Sequence, residues 1–69
     1  MNKVLIHMKE SALDSIKELG YDYKLNDNEI DVIVDDIEYN PDHYYVDPDE
    51  QLIHEYQLDW DEVNCVELA

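Results

Sequence analysis

Sixty-nine residues make one domain at most, and a chain of this length buries only about 60% of its unfolded surface. Nineteen acids stand against four lysines and no arginine, for a formal net charge of −15. That excess predicts no direct binding to DNA or RNA, while an apolar content of 45% excludes a wholly disordered chain.

The charge is unevenly spread. Lys3, Lys9, Lys17 and Lys24 all fall within residues 1–24, beside Glu10, Asp14, Glu18 and Asp22, so this segment is neutral. Residues 25–69 hold the other fifteen acids and no lysine. The first segment reads as scaffold and the second as an acidic surface. Cys65 is the lone cysteine, which excludes an intramolecular disulfide framework. No apolar run reaches the roughly 18 residues of a membrane span. The opening MNKVLIHMKES is too short, and too soon charged again, for a secretory leader. A soluble, cytoplasmic protein is the expectation.

Residues 3–8, KVLIHM, fit two patterns. Leu5, Met8, Ala12, Ile16 and Leu19 make one long helical stripe, and the alternative is a short edge strand. The stripe favours an N-terminal helix. Residues 11–19 predict helix more firmly, with Ser11 and Asp14 as a capping-box pattern and Gly20 as the stop. Next, Tyr21, Tyr23 and Leu25 alternate with polar residues, as do Ile30, Val32 and Val34. Asn26, Asp27 and Asn28 form a turn cluster between them, so the pair reads as a β-hairpin. A helical alternative, Ile30, Ile33, Val34 and Ile37, is outweighed by the β-branched density. YNPD predicts a turn and HYYV a short strand. Asp47 as N-cap, Pro48 at the first helical position and Glu50 at the third mark a helix start, against a hairpin reading of Leu52, His54, Tyr56 and Leu58. The tail is a short helix capped by Asp59, or a last strand. The expected class is α+β: an N-terminal helix, an antiparallel hairpin or small sheet, and a further short helix or strand in the C-terminal half.

Catalytic chemistry finds little support. Gly20 is the only glycine, so there is no phosphate-cradling loop. A thiol pair of Cys65 with His43 or His54 is outweighed by the reading of Cys65 as a small packed hydrophobe. Asp27, Glu29 and Asp31 alternate as in a calcium loop, but the turn glycine is missing. Asp47, Asp49 and Glu50 are explained by capping. The expectation is no enzyme, no cofactor and no specific metal site.

Recognition through charge remains. Carboxylates at i and i+2 of a strand lie roughly 6.6 Å apart, close to the phosphate step of a nucleic-acid strand. Glu29, Asp31 and Asp35 fall on the face opposite Ile30, Val32 and Val34. Further rows come from Asp35, Asp36 and Glu38, from Asp42, from Asp47, Asp49 and Glu50, and from Asp59, Asp61 and Glu62. Tyr44, Tyr45 and Trp60 are candidate apolar anchors, since aromatic residues dominate interface hot spots.

In size, charge and aromatic content the chain resembles the small acidic DNA-mimic inhibitors of phages and mobile elements: anti-restriction proteins, inhibitors of uracil-DNA glycosylase and anti-CRISPR proteins. The resemblance rests on no motif and transfers no site. It implies an inhibitor that fills the basic nucleic-acid groove of a host defence or repair protein. The alternative is an acidic adaptor, or antitoxin-like protein, that binds a basic partner away from any nucleic-acid site. A homodimer through residues 1–24 is also expected.

Overall fold

The computed structural model describes residues 2–36 and 48–68. The class is α+β, as expected, but the chain opens on a strand. β1 (Asn2–Lys9) leads through a 3-10 turn (Glu10–Ala12) into helix α1 (Leu13–Leu19). β2 (Asp22–Asn26) and β3 (Glu29–Asp36) follow as a hairpin. Helix α2 (Pro48–Glu55), a second 3-10 turn (Trp60–Glu62) and β4 (Val63–Leu68) complete the order. The sheet is antiparallel throughout, in the order β2-β3-β1-β4. Among the described residues no helix is long and apolar enough to cross a membrane.

The helical expectation for residues 3–8 is therefore corrected. Val4, Ile6 and Met8 are fully buried on one face, with Lys3, Leu5, His7 and Lys9 alternating on the other. The period is two, and β1 is held by strands on both edges. The apparent helical stripe joined two elements: its residues in β1 and its residues from Ala12 onward obey different periods.

One face of the sheet carries the core. Val4, Ile6 and Met8 of β1 meet Ile30, Val32 and Val34 of β3, and Ala12, Ile16, Leu52 and Ile53 cover them from the helical side. Each such aliphatic side chain contributes about 1.5–3 kcal/mol on burial. Tyr21 and Tyr56 close one side with rings edge to face, centroids 5.6 Å apart. The Tyr21 hydroxyl donates to the Tyr56 carbonyl at 2.7 Å.

Local signals were obeyed unevenly. Gly20 ends α1 in the left-handed region (φ 79°), its N–H bonding the Ile16 and Lys17 carbonyls. The β2–β3 hairpin turns at Asp27 and Asn28, with Asp27 at φ 52°. Ser11 does not cap α1. Ala12 takes the N-cap position, and the Ser11 hydroxyl donates to Glu62 Oε2 at 2.8 Å. The 3-10 turn places Ser11 before the helix proper, so its hydroxyl reaches across to another element. α2 begins at Pro48 as predicted, and the tail holds both alternatives. Asp59 accepts from the Asp61 N–H at 2.9 Å to cap the 3-10 turn, and β4 follows. The turn expected at YNPD and the strand expected at HYYV lie outside the described residues.

Candidate functional site

The sheet face opposite the core carries interleaved charge. Strand register sets Lys3 opposite Asp35 and Lys9 opposite Glu29 on β1 and β3, and Lys24 opposite Asp31 on β2 and β3. Opposite charges so placed each contribute roughly 0.2–1 kcal/mol. The expected row of Glu29, Asp31 and Asp35 does form on this face. Lysines of the neutral segment stand across from each member.

At the centre of the face lies His7. Its Nδ1–H is shared between Asp31 Oδ1 at 2.7 Å and Glu29 Oε1 at 2.9 Å. Its Nε2–H donates to Glu67 Oε1 at 2.6 Å. Both ring nitrogens face carboxylate oxygens, an arrangement that favours the doubly protonated ring. Burial pushes its pKa down. Hydrogen bonds from Glu67 and Asp31, the Asp31 charge and the Glu29 hydrogen bond outweigh that and hold it above the usual 6.5. The His7 side chain is only 14% exposed.

A β-bulge adds to this cage. His7 pairs with Cys65 and Met8 with Val63, so Asn64 is the extra residue on β4. Bulges re-aim side chains. Here the Asn64 amide donates to Glu29 Oε2 at 3.0 Å. Cys65 is exposed, but burial of its thiol and then the charges of Glu29, Glu67, Asp31 and Asp49 push its pKa up. It stays a thiol at neutral pH, which suits no nucleophilic role.

A second surface lies at α2 and the 3-10 turn after it. α2 ends with Gln57 in the left-handed region (φ 60°). The Gln57 N–H bonds the His54 carbonyl, and the Leu58 N–H bonds the Ile53 carbonyl. This is a Schellman motif, and it returns Leu58 beside Ile53. Those two residues, with Trp60, Glu50, Gln51 and His54, line a groove. Trp60 is half exposed. Asp49, Glu50, Glu55, Asp59, Asp61 and Glu62 lie in the same stretch, which has no lysine or arginine.

Comparison with family models, curated proteins and solved structures gives no match.

The candidate residues from sequence thus divide. Glu29, Asp31 and Asp35 lie on the sheet face, and Asp36 closes β3. Asp49 and Glu50 fill the first turn of α2, where the helix dipole favours acids. Asp59, Trp60, Asp61 and Glu62 build the following turn. Glu38, Asp42, Tyr44, Tyr45 and Asp47 lie outside the described residues, as does His43. Sequence reasoning missed His7, Asn64 and Glu67. Their partners lie 22 to 60 positions away along the chain, so no local spacing could bring them together.

Proposed function

We propose that this protein is a non-enzymatic inhibitor that occupies the basic nucleic-acid-binding surface of a host defence or repair protein. The observation that supports this most is the α2 stretch: six carboxylates between Asp49 and Glu62 with no lysine or arginine among them, and an apolar groove lined in part by Glu50 and half-exposed Trp60. A stretch this dense in carboxylates and without lysine or arginine of its own suits a basic partner. An exposed tryptophan beside Ile53 and Leu58 supplies the apolar anchor that charge alone lacks. The partner would offer lysines and arginines arranged for phosphates, with an aliphatic or aromatic side chain to enter the groove.

The test is capture of the partner from the native host, followed by competition with DNA or RNA. Displacement of the protein by nucleic acid is the expected result. Co-binding of nucleic acid and the protein to one partner supports the acidic adaptor instead. A shift of labelled DNA by the purified protein alone, at about 0.15 M salt, overturns the mimic reading.

A further inference from the structure

We propose that the His7 cage is a binding site for a divalent transition-metal ion, Zn²⁺ by its chemistry, with His7 Nδ1, Glu29 and Asp31 as ligands. The three donor atoms lie within 4.8 Å of one another. They come from two adjacent strands in fixed register, His7 directly across from Asp31. Imidazole nitrogen with carboxylate oxygen selects zinc-like ions over Mg²⁺ and Ca²⁺, which prefer oxygen alone.

Charge favours a dication here. Asp31 and Glu29 converge on the one Nδ1 atom of His7. Among the described residues no lysine lies within ion-pairing distance of either. An ion held between the three donors gives each carboxylate its own bond. Ligands of a tetrahedral zinc lie about 3.3–3.5 Å apart, between the 2.7 and 2.9 Å of the Nδ1–oxygen contacts and the 4.8 Å that bounds the donor set.

The surroundings of the cage are an independent pointer. Metal-bound histidines donate their second N–H to a carboxylate, which fixes the ring, and ligating carboxylates are themselves hydrogen-bonded. His7 Nε2–H donates to Glu67, and the bulged Asn64 holds the free oxygen of Glu29. Both supports come from β4, a strand that contributes no ligand. Three ligands leave a fourth position for water. The inference stands apart from the proposed inhibitor role, since it concerns the other surface.

The experiment is calorimetric titration of chelator-treated full-length protein with Zn²⁺ at about 0.15 M NaCl, where diffuse attraction is screened beyond roughly 8 Å. NMR of the histidine rings and Asn64 amide runs alongside. One ion per chain is expected, with shifts at His7 and Asn64, and Mg²⁺ should not compete. His7→Gln should abolish the site, and so should Glu29→Gln with Asp31→Asn, each checked for folding by circular dichroism. Glu67→Gln should weaken it about 10- to 100-fold, and His54→Gln should leave it intact. Absence of saturable binding overturns the proposal. So does binding that survives in folded His7→Gln, or equal competition by Mg²⁺.

Discussion

The two acidic regions, the sheet face and the α2 stretch, place their carboxylates in opposite circumstances. On the sheet face each acid of β3 has a basic residue across from it: Lys3, Lys9, Lys24 or His7. Around α2 the acids follow one another with no lysine or arginine. Removing an acid from the first surface takes an opposite charge from its cross-strand neighbour. Removing one from the second lowers the local negative charge, at the cost of a cap at Asp59 or of the Ser11 bond at Glu62. The same residue types thus stand across from lysine and histidine on one surface and follow one another without lysine or arginine in the other stretch.

The comparison is broken most directly at the groove. Trp60→Ala combined with Glu50→Gln and Asp61→Asn should weaken binding to a captured partner by about 3 kcal/mol, roughly 100-fold. Chemical denaturation should show little loss of stability. A variant that unfolds readily and binds unchanged would reverse the assignment of the two surfaces.

A smaller effect is expected on the sheet face. His7→Gln leaves Asp31, Glu29 and Glu67 without the imidazole ring that lies between them. It should lower stability by about 1–3 kcal/mol, seen as a fall in Tm of roughly 5–20 °C. Partner affinity should stay within a few-fold of the parent.

The proton sharpens the same contrast. The folded-state pKa of His7 is raised above its ordinary value, so the native state holds a proton that the unfolded chain releases earlier. Its stabilisation is complete below about pH 6.5 and is lost as pH rises through the folded pKa. In metal-free protein, unfolding free energy should be lower at about pH 8.5 than at about pH 6. That drop should shrink in His7→Gln. An equal drop in the variant would assign it to other groups.

The smallest effect concerns how the groove is held. Gln57 takes a left-handed conformation that glycine adopts without steric cost. Gln57→Gly should raise stability by about 0.5–1 kcal/mol in denaturant titration, with the groove and its affinity retained. A loss of stability would show that the Gln57 side chain holds the turn.

Much of the fold was legible where the signal was local. The β2–β3 alternation and its turn, Gly20 after α1, Pro48 opening α2 and Asp59 before the last turn all depend on neighbours within a few positions. β1 was misread because Leu5 and Met8 line up with Ala12 and Ile16 at helical spacing. The alternation of Val4, Ile6 and Met8 against Lys3, His7 and Lys9 becomes decisive only once two strands flank them. The acidic row on β3 was predicted on its correct face. Its lysine and histidine neighbours were not, because strand register is a long-range property. The His7 cage needed three strands and a bulge in register, and nothing in the spacing of those residues announces that.

The place of β1 in the sheet has a consequence for synthesis. β1 is a central strand made well before its neighbour β4, so the contact from His7 to Glu67 spans 60 positions. A fold dominated by such distant pairings has high contact order and assembles slowly. As the nascent chain emerges, β1 can pair with β3 while its other backbone edge waits for β4. During that interval an unpaired strand edge is open to any neighbouring chain. The dense negative charge between the two strands gives the waiting chains a reason to stay apart.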